Sequence, residues 1–500
     1  MEPHVPVIVA GAGPVGLSLA LGLARFGIRS VVYEKEASLP PHSRAGIVWP
    51  RTLEIFHGWG VRDVIADRGL LAPSITITDA DSGRGLVTID FWKLLGGETL
   101  EAAPVTIGQD ETEAILYDVL MTTRMSEVHF RHEVLGLTHD PDGVTARIRD
   151  ADGIEREVRG SYLVGADGAH GNVRGALGMT LEGQTYDIRI MLADVRLDDA
   201  RANQDFPRFS LGEQISIALR VGKSRWRLIV ALPKGRSDEA ALDPAFIRAC
   251  GERLLGPGPF EQEWVSIFNI HRRRARTFAV GRVALAGDAA HLNSPAGGQG
   301  MNAGIADAHN LAWKLAATFA GADPAILLAS YDEERSAAFS EGVEPLTDRL
   351  TRLMITSPQL LRQTVARVAP LLARLPGMRH RAARMAGMLD VHYRHSPILF
   401  GHGAVLGERA PDPALACGGV QATLVVHKLP RNVADAASTV LKVRIKRLER
   451  REAKRWGMGR RPFAALVRPD GIVGWIAPNP QPDEIEAQVR AALGYKVQSV

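Results

Sequence analysis

Gly11-Ala-Gly13-Pro-Val-Gly16 follows directly on the apolar run Val7–Ala10 and precedes helix-forming sequence that extends to about Phe26. The first glycine permits a tight turn. The second lets backbone approach a pyrophosphate, and the third lets the helix pack on the strand. The helix N-terminus then offers free N–H groups and a positive dipole end to phosphates. Glu34 ends the next apolar run, Ser30–Glu34, at the spacing where an acid accepts hydrogen bonds from both ribose hydroxyls and disfavours a 2′-phosphate. The stretch predicts the βαβ opening of a parallel sheet that binds an adenosine dinucleotide with a free ribose, as in FAD or NAD.

Outward from this motif, 500 residues call for two or three domains. An apolar fraction of 46% and a charged fraction of 23% are those of a globular protein, which excludes a disordered or fibrous chain. The two cysteines, Cys250 and Cys417, are far apart and outside any CxxC, so neither a disulfide framework nor a zinc site is implied, and a cytoplasmic setting is expected. Net charge is only +4 with a pI near 9.1, which is no nucleic-acid footprint. Val7–Ala24 is apolar, but glycines interrupt it and no basic stretch precedes it, so a buried strand, turn and helix are expected rather than a membrane span.

Alternating polar and apolar residues from Ile75 to Gly97 and from Asp187 to Leu232, as in Ile215-Ser-Ile-Ala-Leu-Arg220 and Trp226-Arg-Leu-Ile-Val230, predict a second, antiparallel sheet with two distinct faces. Helical sequence runs from Gly300 to about Leu389, and Arg394–Pro413 reads as a connector. A small last domain is predicted, with a strand Ala422–His427, a basic helix near Ala434–Trp456, a hairpin turning at Pro469-Asp-Gly471 and a helix from Pro482.

Two further segments narrow the ligand. Leu163-Val-Gly-Ala-Asp167-Gly168 ends a strand and runs on to Val173-Arg174. Val283-Ala-Leu-Ala-Gly287-Asp288 ends another and leads through His291 to Pro295-Ala-Gly-Gly-Gln-Gly-Met-Asn302. At these three fingerprints the chain resembles the class A FAD-dependent aromatic hydroxylases, in the branch of phenol hydroxylase, pentachlorophenol monooxygenase and rifampicin monooxygenase. The resemblance spans nearly the whole chain. It includes Ser43-Arg44-Ala45, Arg51-Thr-Leu-Glu54, Gln109 with Glu113, Asp307-Ala-His-Asn-Leu-Ala-Trp-Lys314, Gly407-Glu-Arg-Ala-Pro411 and Leu466-Val-Arg-Pro-Asp-Gly471.

The resemblance implies an α/β fold with a Rossmann-like, GR2-type FAD-binding domain (residues 1–75, 98–182 and 270–390). It also implies an antiparallel-sheet substrate domain (76–97 and 183–269) and a thioredoxin-like C-terminal domain (400–500) without redox chemistry. It implies non-covalent FAD held by Gly11, Gly13, Pro14, Val15, Gly16, Glu34, Lys35, Arg44, Gln109, Val134, Asp167, Asp288, Gly300, Met301 and Asn302. Arg44 would reach the pyrophosphate and Gln109 the ribityl chain. NADPH or NADH would reduce FAD, O2 would add at flavin C4a, and the distal oxygen would attack an electron-rich, phenol-like ring. From the residues themselves, Asp288 at a strand's carboxyl end can accept from ribityl hydroxyls, and the helix opening at Gly300 would face the flavin edge where charge gathers on reduction.

Three positions depart from the pattern. Gly171 and His170 stand where a serine and a basic residue are usual, which bears on the nucleotide groove, and Gly46 stands where an acid often follows the alanine, so that candidate for deprotonating a phenol is missing. Arg44, His291 and Pro295 are the weak catalytic candidates, and Arg220, Arg225 and His271 are substrate candidates. The bland alternatives are a packed histidine at 291, a strand-to-turn aspartate at 167 and a solvated rim at His271-Arg-Arg-Arg274. For Lys442–Arg461 the expectation is a salt-bridged helix face. No metal, nucleic acid or membrane span is expected as a partner, and a homodimer stays open. The rival activities are Baeyer–Villiger or epoxidation chemistry on a polycyclic or aromatic metabolite, and a non-catalytic flavin-bound interaction protein.

Overall fold

In the computed structural model, which describes residues 4–42, 44–210, 215–353, 357–375, 377–430 and 442–496, the glycine turn lies between the strand Val5–Ala10 and the helix Pro14–Arg25. Its glycines are sterically required. Gly11 has φ +99°, and a Cβ there would lie 2.4 Å from the Ala166 carbonyl oxygen; at Gly16 a Cβ would lie 2.0 Å from the Gly11 oxygen. A Cβ at Gly13 would meet nothing within 4 Å, so the space above the turn is open.

Val5–Ala10 is the centre of the first sheet. It pairs in parallel with Ser30–Glu34 on one side and with Glu155–Gly165 on the other. Ser126–Phe130 and Val283–Leu285 extend the parallel set outward. The antiparallel hairpin Glu133–Asp140 and Gly143–Arg149 joins through Glu155–Gly165. The apolar sequence of Val7–Ala10 is what a strand covered on both faces requires. The helices Pro14–Arg25 and Gly300–Phe319 lie against each other so closely that a Cβ at Gly22 would be 2.8 Å from Ala312 Cβ.

The second sheet runs in the order His291–Leu292, Glu261–Ala275, Leu181–Arg196, Arg225–Ala231, Ser216–Arg220, Arg208–Ser210, Ser74–Asp79, Gly85–Asp90. It is antiparallel apart from one parallel contact, Arg208–Ser210 with Ser74–Asp79. Period-2 alternation divides its faces. Trp226, Leu228, Val230, Ala218, Met191 and Ala193 share a core with Ile247, Cys250 and Leu254 of the helix Pro244–Leu255. By register, Ile217, Leu219, Arg227, Ile229, Leu192, Asp194 and Phe268 share the opposite face.

The C-terminal sheet runs Phe400–Gly401, Val473–Pro478, Phe463–Val467, Thr423–His427, Arg444–Arg447. Its last pair is parallel and its neighbours antiparallel, the strand order of a thioredoxin-like sheet. The expected basic helix near Ala434–Trp456 is corrected here. Residues 434–441 lie outside the described residues, Arg444–Arg447 is a strand, and helix is confined to Arg450–Ala453 and the short turn Lys454–Trp456. The alternating Val443 and Ile445, followed by the buried Leu448, had a partner in Thr423–His427, and that pairing overrode helix propensity.

Fully buried charges join this sheet to the long helices. Glu334 accepts from Lys314 Nζ (2.7 Å), Arg468 Nη1 and Nη2 (2.5 and 2.9 Å), Asn310 Nδ2 (2.7 Å) and Ser396 Oγ (2.6 Å). Burial pushes the Lys314 ammonium down to about 8 against the pull of Glu334. Arg51 donates to Glu54 (2.7 Å) and to the carbonyls of Ala416 and Asp470 (2.7 and 2.8 Å), while Arg409 donates to Glu54 at 2.8 Å. A buried charge is tolerated only when paired in this way.

Candidate functional site

Three elements converge beside the first sheet's carboxyl end: the Gly11–Gly16 turn, the turn at Gly287-Asp288, and the loop Pro295–Gln299 that leads into the helix Gly300–Phe319. Gly287 has φ +60°, and a Cβ there would be 2.7 Å from Val15 Cγ2; one at Gly304 would be 2.5 Å from the same methyl. Val15 is therefore the contact that holds the three elements together, and Pro14 begins the helix where its missing N–H costs nothing.

Asp288 stands open to solvent and accepts no hydrogen bond among the described residues. Protein nonetheless surrounds it closely: desolvation raises its carboxyl above the usual range, against the opposing pull of His291 and Arg44. Its turn is pinned from behind. Arg174 donates to the Ala289 and Ala169 carbonyls (2.9 and 2.6 Å), and Asp307 accepts from Gly287 N–H at 3.0 Å. An unpartnered carboxylate held in place asks for hydroxyl donors.

The helices Pro14–Arg25 and Gly300–Phe319 both begin without a side-chain cap, so their first N–H groups are free for an anion or a polar ring edge. Gly300 and the buried Met301 and Asn302 form the first turn of the second of these. The Asn302 side chain is fully used within the protein: it accepts from Trp49 N–H (2.9 Å) and donates to the Ile47 and Gly298 carbonyls (3.0 and 2.9 Å). Trp49 Nε1 donates to the Gly297 carbonyl at 3.0 Å. Only backbone at Asn302 is left to face a ligand. Gly297 and Gly298 both have positive φ, so the loop's path belongs to glycine. Pro295 is exposed on it.

Glu34 braces the glycine turn, accepting from Ala12 N–H at 2.7 Å and from Glu36 N–H at 3.0 Å; Lys35 beside it is exposed. Asp167 accepts from Val173 N–H at 3.0 Å and leaves Oδ1 without a partner; burial raises its carboxyl. A Cβ at Gly171 would fall 2.1 Å from that Oδ1, which explains the departure from serine. Val134 is buried, and its carbonyl accepts from Asn172 at 2.9 Å. Gln109 accepts from Ala45 N–H at 3.3 Å and donates to Glu113 at 2.7 Å. Burial pushes Glu113 up to about 7, with Asp110 and Glu34 adding to the rise.

Ser43 lies outside the described residues. Arg44 is exposed and places its guanidinium over the Phe268 ring, 4.8 Å from the centroid. Its backbone is held by Arg227, which donates to the Arg44 carbonyl and, at 2.9 Å, to that of Ala45, while forming a buried fork with Asp194 at 2.7 Å on both arms. Sequence reasoning missed this pair. The signal was an arginine and an aspartate at facing positions of strands predicted to alternate, but the register was unknown. A Cβ at Gly46 would be 2.4 Å from Val221 Cγ1, so an acid there would require Val221 to shift.

Three candidates are placed away from the site or are already engaged. Arg220 is on the sheet face away from Arg44 and bonds the carbonyls of Gly222 and Lys223 at a hairpin tip. Arg225 is on the near face but is engaged with Asp110 at 2.9 Å. His291 is buried, bonded to Asp307 at 2.7 Å and stacked on Phe339 at 4.3 Å, so it is a packing residue rather than one that touches substrate. His271 is half-buried beside Thr185 (3.0 Å), and burial with the nearby Arg273, His170 and Arg44 lowers its pKa. Residue 214, expected to begin a substrate strand, lies outside the described residues.

Comparison with known proteins agrees with this arrangement. A family model described as an FAD binding domain matches residues 4–344. An uncharacterized aromatic compound monooxygenase of Bacillus subtilis is 30% identical over 95% of each chain. The anhydrotetracycline monooxygenase of Streptomyces rimosus is 30% identical over 94% of this chain and 95% of its own. The structure of aklavinone-11 hydroxylase with FAD and aklavinone superposes with TM-score 0.81 at 27% identity, covering 99% of this chain and 100% of that one. An open glycine turn, two uncapped helix starts and an unpartnered carboxylate between them fit FAD.

Asp288→Ala should weaken FAD binding by roughly tenfold to a hundredfold, the worth of about 1.5–3 kcal/mol of charge-assisted hydrogen bonds, with the melting temperature of the apoprotein unchanged. Fluorescence titration with FAD tests this, and wild-type affinity would contradict it. Glu113 gives a pH signature. A carboxyl raised from 4.5 to about 7 in the fold costs stability as pH rises through that interval, because the unfolded chain releases the proton first. In urea unfolding, the stability of Glu113→Gln relative to the parent should climb between those two values and then level off. A flat difference would refute the shift.

Proposed function

The chain belongs to the FAD-binding monooxygenase family matched over residues 4–344, and on that premise we propose that it hydroxylates a phenolic or polycyclic aromatic ring. It is an FAD-dependent monooxygenase that draws electrons from NAD(P)H and oxygen from O2. Bound FAD supplies the two-electron chemistry that activates O2 for transfer of one oxygen atom. The observation that carries the aromatic reading is the half-buried apolar surface of Ile217, Leu219, Ile229 and Phe268, which shares a sheet face with the Arg227–Asp194 fork under the Arg44 loop.

The protein's own work follows from the residues around this face. Gly11, Gly13 and the first turn of Pro14–Arg25 would receive the pyrophosphate, with Arg44 as the exposed cation of the same region. Asp288 would accept from the ribityl hydroxyls. Backbone N–H groups at Gly300–Asn302 would face the flavin edge as a preorganised dipole rather than a titrating group. The apolar sheet face excludes water and orients the ring. Gly46 leaves no acid to take the phenolic proton, and His271, whose pKa is lowered by burial and then by Arg273, His170 and Arg44, is the base we assign to that task. The same reading divides the chain into an FAD part (1–75, 98–182 and 270–390), a substrate sheet (76–97 and 183–269) and a C-terminal part (400–500). Two buried free cysteines support a reducing, cytoplasmic setting.

Reduced flavin reacts with O2 unaided, so reduction should wait for substrate. Anaerobic stopped-flow mixing of the holoenzyme with NADPH should give faster flavin reduction when a hydroxylated phenol is present. Arg44→Ala should slow reduction while FAD stays bound. Equal rates with and without a substrate whose labelled product carries one atom from O2 would refute the coupling.

A further inference from the structure

Between Asp348 and Asp390 the sequence has eight arginines and no acidic residue. Within this stretch the helix Gln359–Leu372 packs toward the edge strand Gly85–Asp90 of the second sheet. Its orientation is the reverse of an ordinary surface helix. Arg362 is buried on the inner side, while Leu360 (79% exposed), Leu361, Val368, Leu371 (59%) and Leu372 face out, continued by Leu375. Positions 361, 368, 372 and 375 repeat at helical spacing, so the exposed apolar residues form one stripe. Arg367, Arg374, Arg379 and Arg381 are exposed along and beyond it, with no ion pair among the described residues. The next helix, Met378–Ala386, packs on Phe91–Leu95, which carries the exposed Trp92.

A leucine stripe of this size is costly in water and marks a contact surface. The charge decides the occupant. A second copy seated on the stripe would bring two acid-free, arginine-rich segments together, whereas an anionic bilayer presents phosphates to the arginines and an acyl boundary to the leucines. No helix among the described residues is long and apolar enough to cross a membrane, so the contact lies on the surface and does not span it.

We propose that the outward face of Gln359–Leu372, with the arginines flanking it, docks the enzyme on an anionic lipid surface.

The test is flotation of the FAD-loaded protein with vesicles of phosphatidylglycerol in phosphatidylcholine, against phosphatidylcholine alone. Binding is expected to the anionic vesicles only, and salt should reverse it. Leu371→Ser/Leu372→Ser and, separately, Arg367→Glu/Arg374→Glu should each weaken it roughly tenfold or more, from lost methylene burial and lost charge respectively. FAD content and melting temperature should not change, and Leu242→Ser, at an exposed leucine elsewhere, should bind like the parent. The proposal is overturned by no binding to anionic vesicles, by equal binding to neutral ones, or by both double variants binding like the parent. A parent dimer in sedimentation equilibrium that the leucine variant converts to monomer would also overturn it, giving the face to a second copy.

Discussion

The Asp307 carboxylate holds the site together. It sits on the helix Gly300–Phe319 and accepts from Gly287 N–H, from the His291 ring at 2.7 Å and from Arg335 Nε at 2.7 Å. Burial alone would raise its pKa, but His291 and Arg335 outweigh that and keep it ionised. The bond to Gly287 fixes a left-handed turn that has no room for a side chain, because Val15 of the first helix lies against Gly287 and Gly304. One buried anion thereby sets the position of Asp288 relative to both the glycine turn and the helix that opens at Gly300. Arg335 extends the tie to Tyr393 at 3.0 Å and to the Ala303 carbonyl.

The same device recurs across the molecule. Arg227 and Asp194 fix the Arg44 loop against the second sheet, and Glu334 ties Lys314 to Arg468 of the C-terminal sheet. Each is an ion pair deep in protein, where removing one partner strands the other. Such pairs add less to net stability than their Coulomb attraction suggests. They do exclude alternative arrangements, because each would leave a bare charge. A site assembled from segments far apart in sequence gains from that selectivity.

Much of this was legible in sequence where a residue's role is local. Gly11, Gly16, the strand Ser30–Glu34 and the hairpin at Pro469-Asp-Gly471 follow from steric and periodic rules that need no tertiary context. The motif stretch Asp307–Lys314 was visible as family resemblance, yet its meaning was not: Asp307, Asn310 and Lys314 bind other protein groups, which only the packed helices reveal. The Asn302 side chain ties its loop to Ile47 and Trp49, a role the motif did not disclose, and leaves its backbone for the cofactor. Arg444–Arg447 read as helix because its strand partner is remote in sequence. Gly46 and Gly171 looked like losses of function, and the structure gives both a steric cause.

Asp307 acts by positioning Asp288, its own carboxylate being engaged by Gly287, His291 and Arg335. The direct measurement is the FAD dissociation constant of Asp307→Asn beside that of Asp288→Ala, with far-ultraviolet circular dichroism as the check on folding. The account predicts that Asp307→Asn keeps its helices and loses FAD affinity by a factor comparable to Asp288→Ala. FAD bound as tightly as in the parent, by a folded Asp307→Asn protein, would contradict it.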